Sequence, residues 1–260
     1  MNSPSAVNKR ITVEAQGALA RVIFAHPPLN VFDFQQMDEL AAALKQIEQR
    51  REIIAVVLTG GERAFSAGVD VAVHAPENVP TMLLKFHSLI LALAKSPKIT
   101  IAEVRGACLG GGAELAMVCD MCFTSEKAKW GFPEITLGCY PPVACTALAG
   151  LVGEKRAADL IFTGRIFSGA EAAQWGLANS AHADGDLVQA IQGTLDHLFK
   201  LSPAALVHAK KAFYAWDSVH LDKGLARAEK IYIEELMQTE DAKEGIQAWL
   251  EKRKPEWKGK

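Results

Sequence analysis

The feature that most restricts the fold is a pair of short strand-forming runs, Ile53 to Thr59 and Thr100 to Val104, each followed by glycine and small residues. Apolar residues in succession rather than alternation mark strands covered on both faces, as in a parallel sheet. Parallel neighbours need long crossovers, and the chain supplies them. Phe34 to Arg51 places Met37, Leu40, Ala41, Leu44 and Ile47 at helical spacing, and Gly110 to Val118 opens another helix before a strand-like Met121 to Ser125. Val7 to Val13 and Ala18 to Phe24 read as a hairpin turning at Gln16-Gly17. His26-Pro27-Pro28-Leu29-Asn30 is barred from helix and ladder by its prolines. This alternation, over roughly the first 180 positions, predicts an α/β architecture with mostly parallel pairing. From Leu187 onward the pattern is helical; Ser202-Pro203 starts a helix and Pro255 ends the last one.

The charge balance narrows the function. With 28 basic and 30 acidic side chains, the net charge of -2 exerts no general pull toward nucleic acid or anionic lipid. Met1 to Arg10 is polar, unlike a secretory signal, and runs such as Leu89 to Ala94 are too short to cross a bilayer. Five cysteines, an odd number in apolar surroundings, fit reduced thiols and a cytoplasmic setting. Cys119-x-x-Cys122 lacks the second pair that a zinc site needs and reads as buried structural thiols. Lys210-Lys211 and Lys252-Arg253-Lys254 read as solvated helix faces rather than phosphate contacts. His26 is either an ordinary loop histidine or part of a ligand entrance.

Three segments are suited to chemistry. Gly110-Gly111-Gly112 stands where a helix begins, so its first amides are unpaired and a ligand approaches the backbone freely. A tight turn that eases packing is the alternative. Glu114, in an otherwise apolar first turn, is costly to bury unless paired, protonated or used. Its alternative role is stabilising a helix N-terminus. The loop Ala64 to Asp70, after the first buried strand, again lets the backbone approach a ligand at Gly68, with Asp70 as a helix cap. Glu134 lies between aromatics and a proline, a setting that raises a carboxyl pKa. Taken alone, it reads as an exposed loop glutamate.

Together Pro28-Leu29-Asn30, Ala64 to Asp70, Gly106 to Asp120, Gly131 to Gly138 and the tail from Glu240-Asp241 to Pro255 resemble the crotonase (enoyl-CoA hydratase/isomerase) superfamily. The resemblance implies a spiral of ββα units over residues 1–200 and a helical oligomerisation region over 201–260, assembled as a homotrimer or homohexamer. It also implies that Val69 and Gly111 donate the two oxyanion-hole N–H groups, and that Glu114 and Glu134 are the catalytic pair. Ser66, Ala67, Asp70, Val71, Tyr140 and Val143 are then the expected contacts of an acyl-CoA substrate. No metal or resident cofactor is implied, because CoA arrives with the substrate. Both glutamates favour a hydratase over a double-bond isomerase. The RNA-binding relatives are disfavoured, since Phe34 to Arg51 offers Lys45, Arg50 and Arg51 against Asp38, Glu39 and Glu48. Where hydratases carry a glycine-rich run, this chain has Tyr140-Pro141-Pro142-Val143, and Pro142 has no N–H. With His26 to Val31, that departure looks most like the cyclohexa-1,5-dienecarbonyl-CoA hydratases of anaerobic aromatic degradation, which add water in a 1,4 sense.

Overall fold

The computed structural model describes residues 9–214 and 217–258. Its elements run β1 (Ile11–Gln16), β2 (Leu19–Phe24), α1 (Phe34–Glu48), β3 (Ala55–Thr59), β4 (Ala64–Ser66), α2 (Val79–Lys95), β5 (Ile99–Val104), β6 (Ala107–Leu109), α3 (Gly111–Met117), β7 (Met121–Ser125) and β8 (Lys129–Gly131). They continue through α4 (Pro142–Val152), α5 (Glu154–Thr163), β9 (Phe167–Ser168), α6 (Gly169–Gln174), β10 (Ser180–His182), α7 (Leu187–Leu198), α8 (Pro203–Phe213), α9 (Asp217–Glu234) and α10 (Glu240–Leu250). A six-stranded sheet has the order β1-β2-β3-β5-β7-β10, and a smaller one the order β4-β6-β8-β9. Pairing is parallel except in the β1–β2 hairpin and between β8 and β9. The chain therefore coils in ββα turns, one strand to each sheet and then a helix.

The large sheet is covered on both sides, which is why β3 is apolar throughout. Val56 and Leu58 face the main core, whereas Ala55 and Val57 pack with Ile99, Ile101 and Phe123 against Leu187, Ile191 and Leu195 of α7. The hairpin falls where the sequence predicts it, although Val7 and Asn8 lie outside the described residues. Three details differ. The helix predicted to Arg51 ends at Glu48, because Arg50 N–H closes back on Ile47 O as a turn. The last helix stops at Leu250, well before Pro255. There Lys252 takes a left-handed conformation (φ 55°) while Arg253 N–H bonds Ala248 O and Lys252 N–H bonds Trp249 O. That is a Schellman closure made without the usual glycine. Lys210 is not a solvated lysine: it is buried, with Nζ 2.7 Å from Asp120 Oδ2 and 2.8 Å from Lys98 O. Among the described residues, no helix is long and apolar enough to cross a membrane.

Candidate active site

Asn30 organises the first loop. Its Nδ2 donates to Gly60 O (2.7 Å) and Ala64 O (2.9 Å), and its backbone oxygen accepts from Ser66 Oγ (2.8 Å). Ser66 Oγ accepts in turn from Gly68 N–H at 3.1 Å. Phe32 brackets the next residue, its N–H bonding Gly68 O and its oxygen accepting from Asp70 N–H. In such a parallel bridge the bracketed residue's own amide points away from the bridging strand, so Val69 N–H faces away from Phe32. Gly68 (φ 97°) is needed here, because a Cβ would sit 2.9 Å from Leu109 O and 3.3 Å from Gly111 N. That close approach sets the Val69 loop beside the start of α3. Asp70 caps a 3-10 turn, Val71–His74, its Oδ1 accepting from Ala72 N–H at 3.0 Å.

Beside that loop, Gly110 (φ 50°) passes so close to Glu134 that a Cβ would lie 2.5 Å from Glu134 Oε1. Glu134 sits in the first turn of a second 3-10 segment, Pro133–Leu137. The residue as a whole is half-buried, but its Oε2 is enclosed and has no hydrogen-bond partner. Glu114 is 3 % exposed. It does stabilise a helix N-terminus, though not that of its own helix. Its Oε1 accepts from Val143 N–H (2.9 Å) and Ala144 N–H (3.0 Å), the second and third residues of α4. Pro141, at the N-cap, has no side-chain oxygen to fill that place, and Pro142 has no N–H to offer. Glu114 substitutes for the missing cap.

These environments push both carboxyl groups upward. Burial raises Glu114 to about 7 against the lowering effect of the two α4 amides. Glu134 is raised well above the ordinary carboxylate range by burial first and the Glu114 charge second. Both line one cavity of about 630 Å³ of empty space, open to solvent, with Gly68, Val69, Gly110 and Gly111 on the same wall. Two backbone amides, one gripped carboxyl and one unpartnered carboxyl in an apolar cleft are suited to holding an oxyanion and moving protons at a neighbouring carbon.

Of the other expected contacts, Ala67, Val71 and Tyr140 line the cavity; Ser66, Asp70 and Val143 do not. Ser66 is buried behind the loop, its hydroxyl committed to backbone. Asp70 is spent on its cap, and Val143 meets the site through its N–H. Tyr140 O–H donates to Ala228 O of α9 at 2.6 Å, and Tyr232 of α9 also lines the cavity, so α9 contributes to its wall. Sequence reasoning missed Tyr232, Phe86 and His87. The only signal for His87 was a lone histidine on the apolar stripe of α2.

A sequence model of the family described as enoyl-CoA hydratase/isomerase matches residues 14–260. A protein of Thauera aromatica named cyclohexa-1,5-dienecarbonyl-CoA hydratase is 34% identical over 251 residues, covering 96% of this chain and 97% of its own. A probable enoyl-CoA hydratase of Rhizobium meliloti (strain 1021) is 39% identical over 251 residues, covering 95% and 97%. Among solved structures, an enoyl-CoA hydratase from Bacillus anthracis superposes with a TM-score of 0.77 at 32% identity, covering 96% of this chain and all of that one. The Pseudomonas aeruginosa protein OdaA does so with a TM-score of 0.87 at 27% identity, covering 94% and 99%.

Proposed function

This chain belongs to the enoyl-CoA hydratase/isomerase family, and on that premise we propose how it works and on which thioester. The enzyme is a hydratase-type lyase acting on an acyl-CoA. In the proposed mechanism the thioester oxygen lodges between Val69 N–H and Gly111 N–H, which stabilise the enolate formed as water adds. Glu114, fixed by the α4 amides, orients and deprotonates the water. Glu134, with an unpartnered oxygen and a strongly raised pKa, supplies the proton to carbon. Two carboxyl groups whose surroundings separate their titration are the usual way a site divides base from acid. The carrying observation is that pair in one cavity, Glu114 Oε1 held by two amides and Glu134 Oε2 held by none.

The finer reading is that the substrate is a ring dienoyl thioester, cyclohexa-1,5-diene-1-carbonyl-CoA. It is supported by the Pro141-Pro142 segment, by Tyr140 in the cavity wall, and by the ring substrate in the name of the Thauera relative. A side-by-side assay with crotonyl-CoA, products identified by mass, tests it. A clear preference for crotonyl-CoA defeats the ring assignment and keeps the hydratase. A shifted double bond with no hydroxyacyl product favours an isomerase instead. We further propose that the C-terminal helices, which expose Phe213 and Trp249, serve assembly into a trimer or hexamer, measurable by light scattering.

A further inference from the structure

His87 is a buried polar group in the cavity wall that the proposed hydration does not use. It stands on α2, is 3 % exposed, and lines the same cavity as the two glutamates. Its Nδ1 is hydrogen-bonded to Glu229 Oε1 across to α9, and its Nε2 is enclosed with no partner. Glu229 in its ionised form only accepts, so Nδ1 carries the hydrogen and the neutral ring presents a lone pair at Nε2. Burial, outweighing Glu229, holds His87 below its usual pKa, which favours that neutral form. A buried acceptor without a donor is destabilising. The tie from Nδ1 to Glu229 joins α2 to α9 but leaves Nε2 unsatisfied beside the buried apolar residues Leu83, Phe86 and Ile90. Because Nδ1 is tied to a carboxyl on another element, the ring cannot turn to satisfy Nε2 elsewhere.

We propose that His87, oriented by Glu229, determines acyl specificity by accepting a hydrogen bond at Nε2 from a hydroxyl carried on the acyl group. The preferred thioester is then oxygenated beyond the reacting double bond, an alternative to the ring dienoyl substrate, which carries no hydroxyl. His87 touches substrate, and Glu229 is a positioning residue. The inference rests on the hydratase reading, and the test separates the two. Hex-2-enoyl-CoA and its 4-, 5- and 6-hydroxy derivatives are hydrated by the wild-type enzyme and by His87→Leu, His87→Gln and Glu229→Gln. The expected result is that one hydroxylated member exceeds hex-2-enoyl-CoA in kcat/KM by about tenfold or more, the worth of one hydrogen bond. The advantage resides in KM, falls to about one in His87→Leu, is partly restored by the acceptor of His87→Gln, and is reduced in Glu229→Gln. If wild type hydrates the series but shows the same ratios as a folded His87→Leu, or prefers the unsubstituted chain throughout, the inference is overturned. If His87→Leu does not fold, the wild-type ratios and His87→Gln decide alone. Failure to hydrate any thioester, ring or chain, would instead sink the hydratase reading.

Discussion

Replacing Glu114 by glutamine is expected to abolish activity and yet make the protein more stable at neutral and alkaline pH. Glu114 ionises at about 7 in the folded protein and near 4.5 in the unfolded chain. Between these values the unfolded chain has released its proton and the folded one has not, so stability falls as pH rises; above about 7 the loss is complete. A rise of that size corresponds to about 3 kcal/mol. Glutamine carries no charge to desolvate, and its side-chain oxygen still accepts from Val143 and Ala144 N–H, so the α4 cap survives. Thermal unfolding at pH 4, below both values, should show wild type and Glu114→Gln nearly superimposed. At pH 8 the variant should be more stable by up to about 3 kcal/mol, on the order of 10 °C in a chain of this size. Turnover should drop by about a hundredfold or more, as for loss of a general base. A stability difference independent of pH, or a wild type more stable than the variant at pH 8, refutes the reasoning, because either means that burial does not strain the Glu114 charge.

Three other substitutions probe the frame around the site. Gly110→Ala forces a Cβ to within 2.5 Å of Glu134 Oε1 at a left-handed backbone position. It should lower stability by about 1–3 kcal/mol, read by urea unfolding, and depress kcat more than KM. Asn30→Ala removes the Nδ2 bonds to Gly60 O, Ala64 O and Phe65 O and the bond that Oδ1 accepts from His26 N–H, and should cost about 1–3 kcal/mol in the same measurement, with a fall in kcat as the Val69 loop loosens. Lys210→Met leaves Asp120, whose Oδ2 also accepts from Thr100 N–H, without its buried cation. A loss of about 3–5 kcal/mol is expected, against almost nothing if Lys210 were a solvated side chain.

How legible the molecule was in its sequence depends on the range of the forces involved. The hairpin, α1, β3, β5, β7 and the helical C-terminal region were readable because period and turn residues are local. β4, β6, β8 and β9 were not: two or three residues have no period, and their segments read as loops. Asp70 was readable as a cap because its partner, Ala72, is two residues away. Lys210 was misread because its partners, Lys98 and Asp120, are about a hundred positions distant, and nothing near Lys210 announces them. His87 was missed for the same reason, its partner Glu229 lying on another helix. Glu114 and Glu134 were ambiguous singly and became specific as a pair, but what holds Glu114 in place was invisible without coordinates.

That last contact recasts the two prolines after Tyr140. From the sequence they subtract, removing an amide where hydratases keep a flexible glycine-rich run. In the structure they start α4, and proline at the first helical position leaves the next two amides as the free donors of the helix end. Both are aimed at Glu114. A helix N-terminus favours a negative charge, whereas burial opposes it, and the two together leave Glu114 near 7 rather than at either extreme. Glu134, with no donor to its Oε2, is pushed further by burial and the Glu114 charge, against the lowering effect of a single backbone hydrogen bond. The rigid α4 start therefore acts on charge as well as on the cavity wall. It gives one member of a like-charged pair a stabilised anion, so that the first proton to leave the site comes from Glu114 while Glu134 retains its own, the distribution that adding water across a conjugated thioester requires.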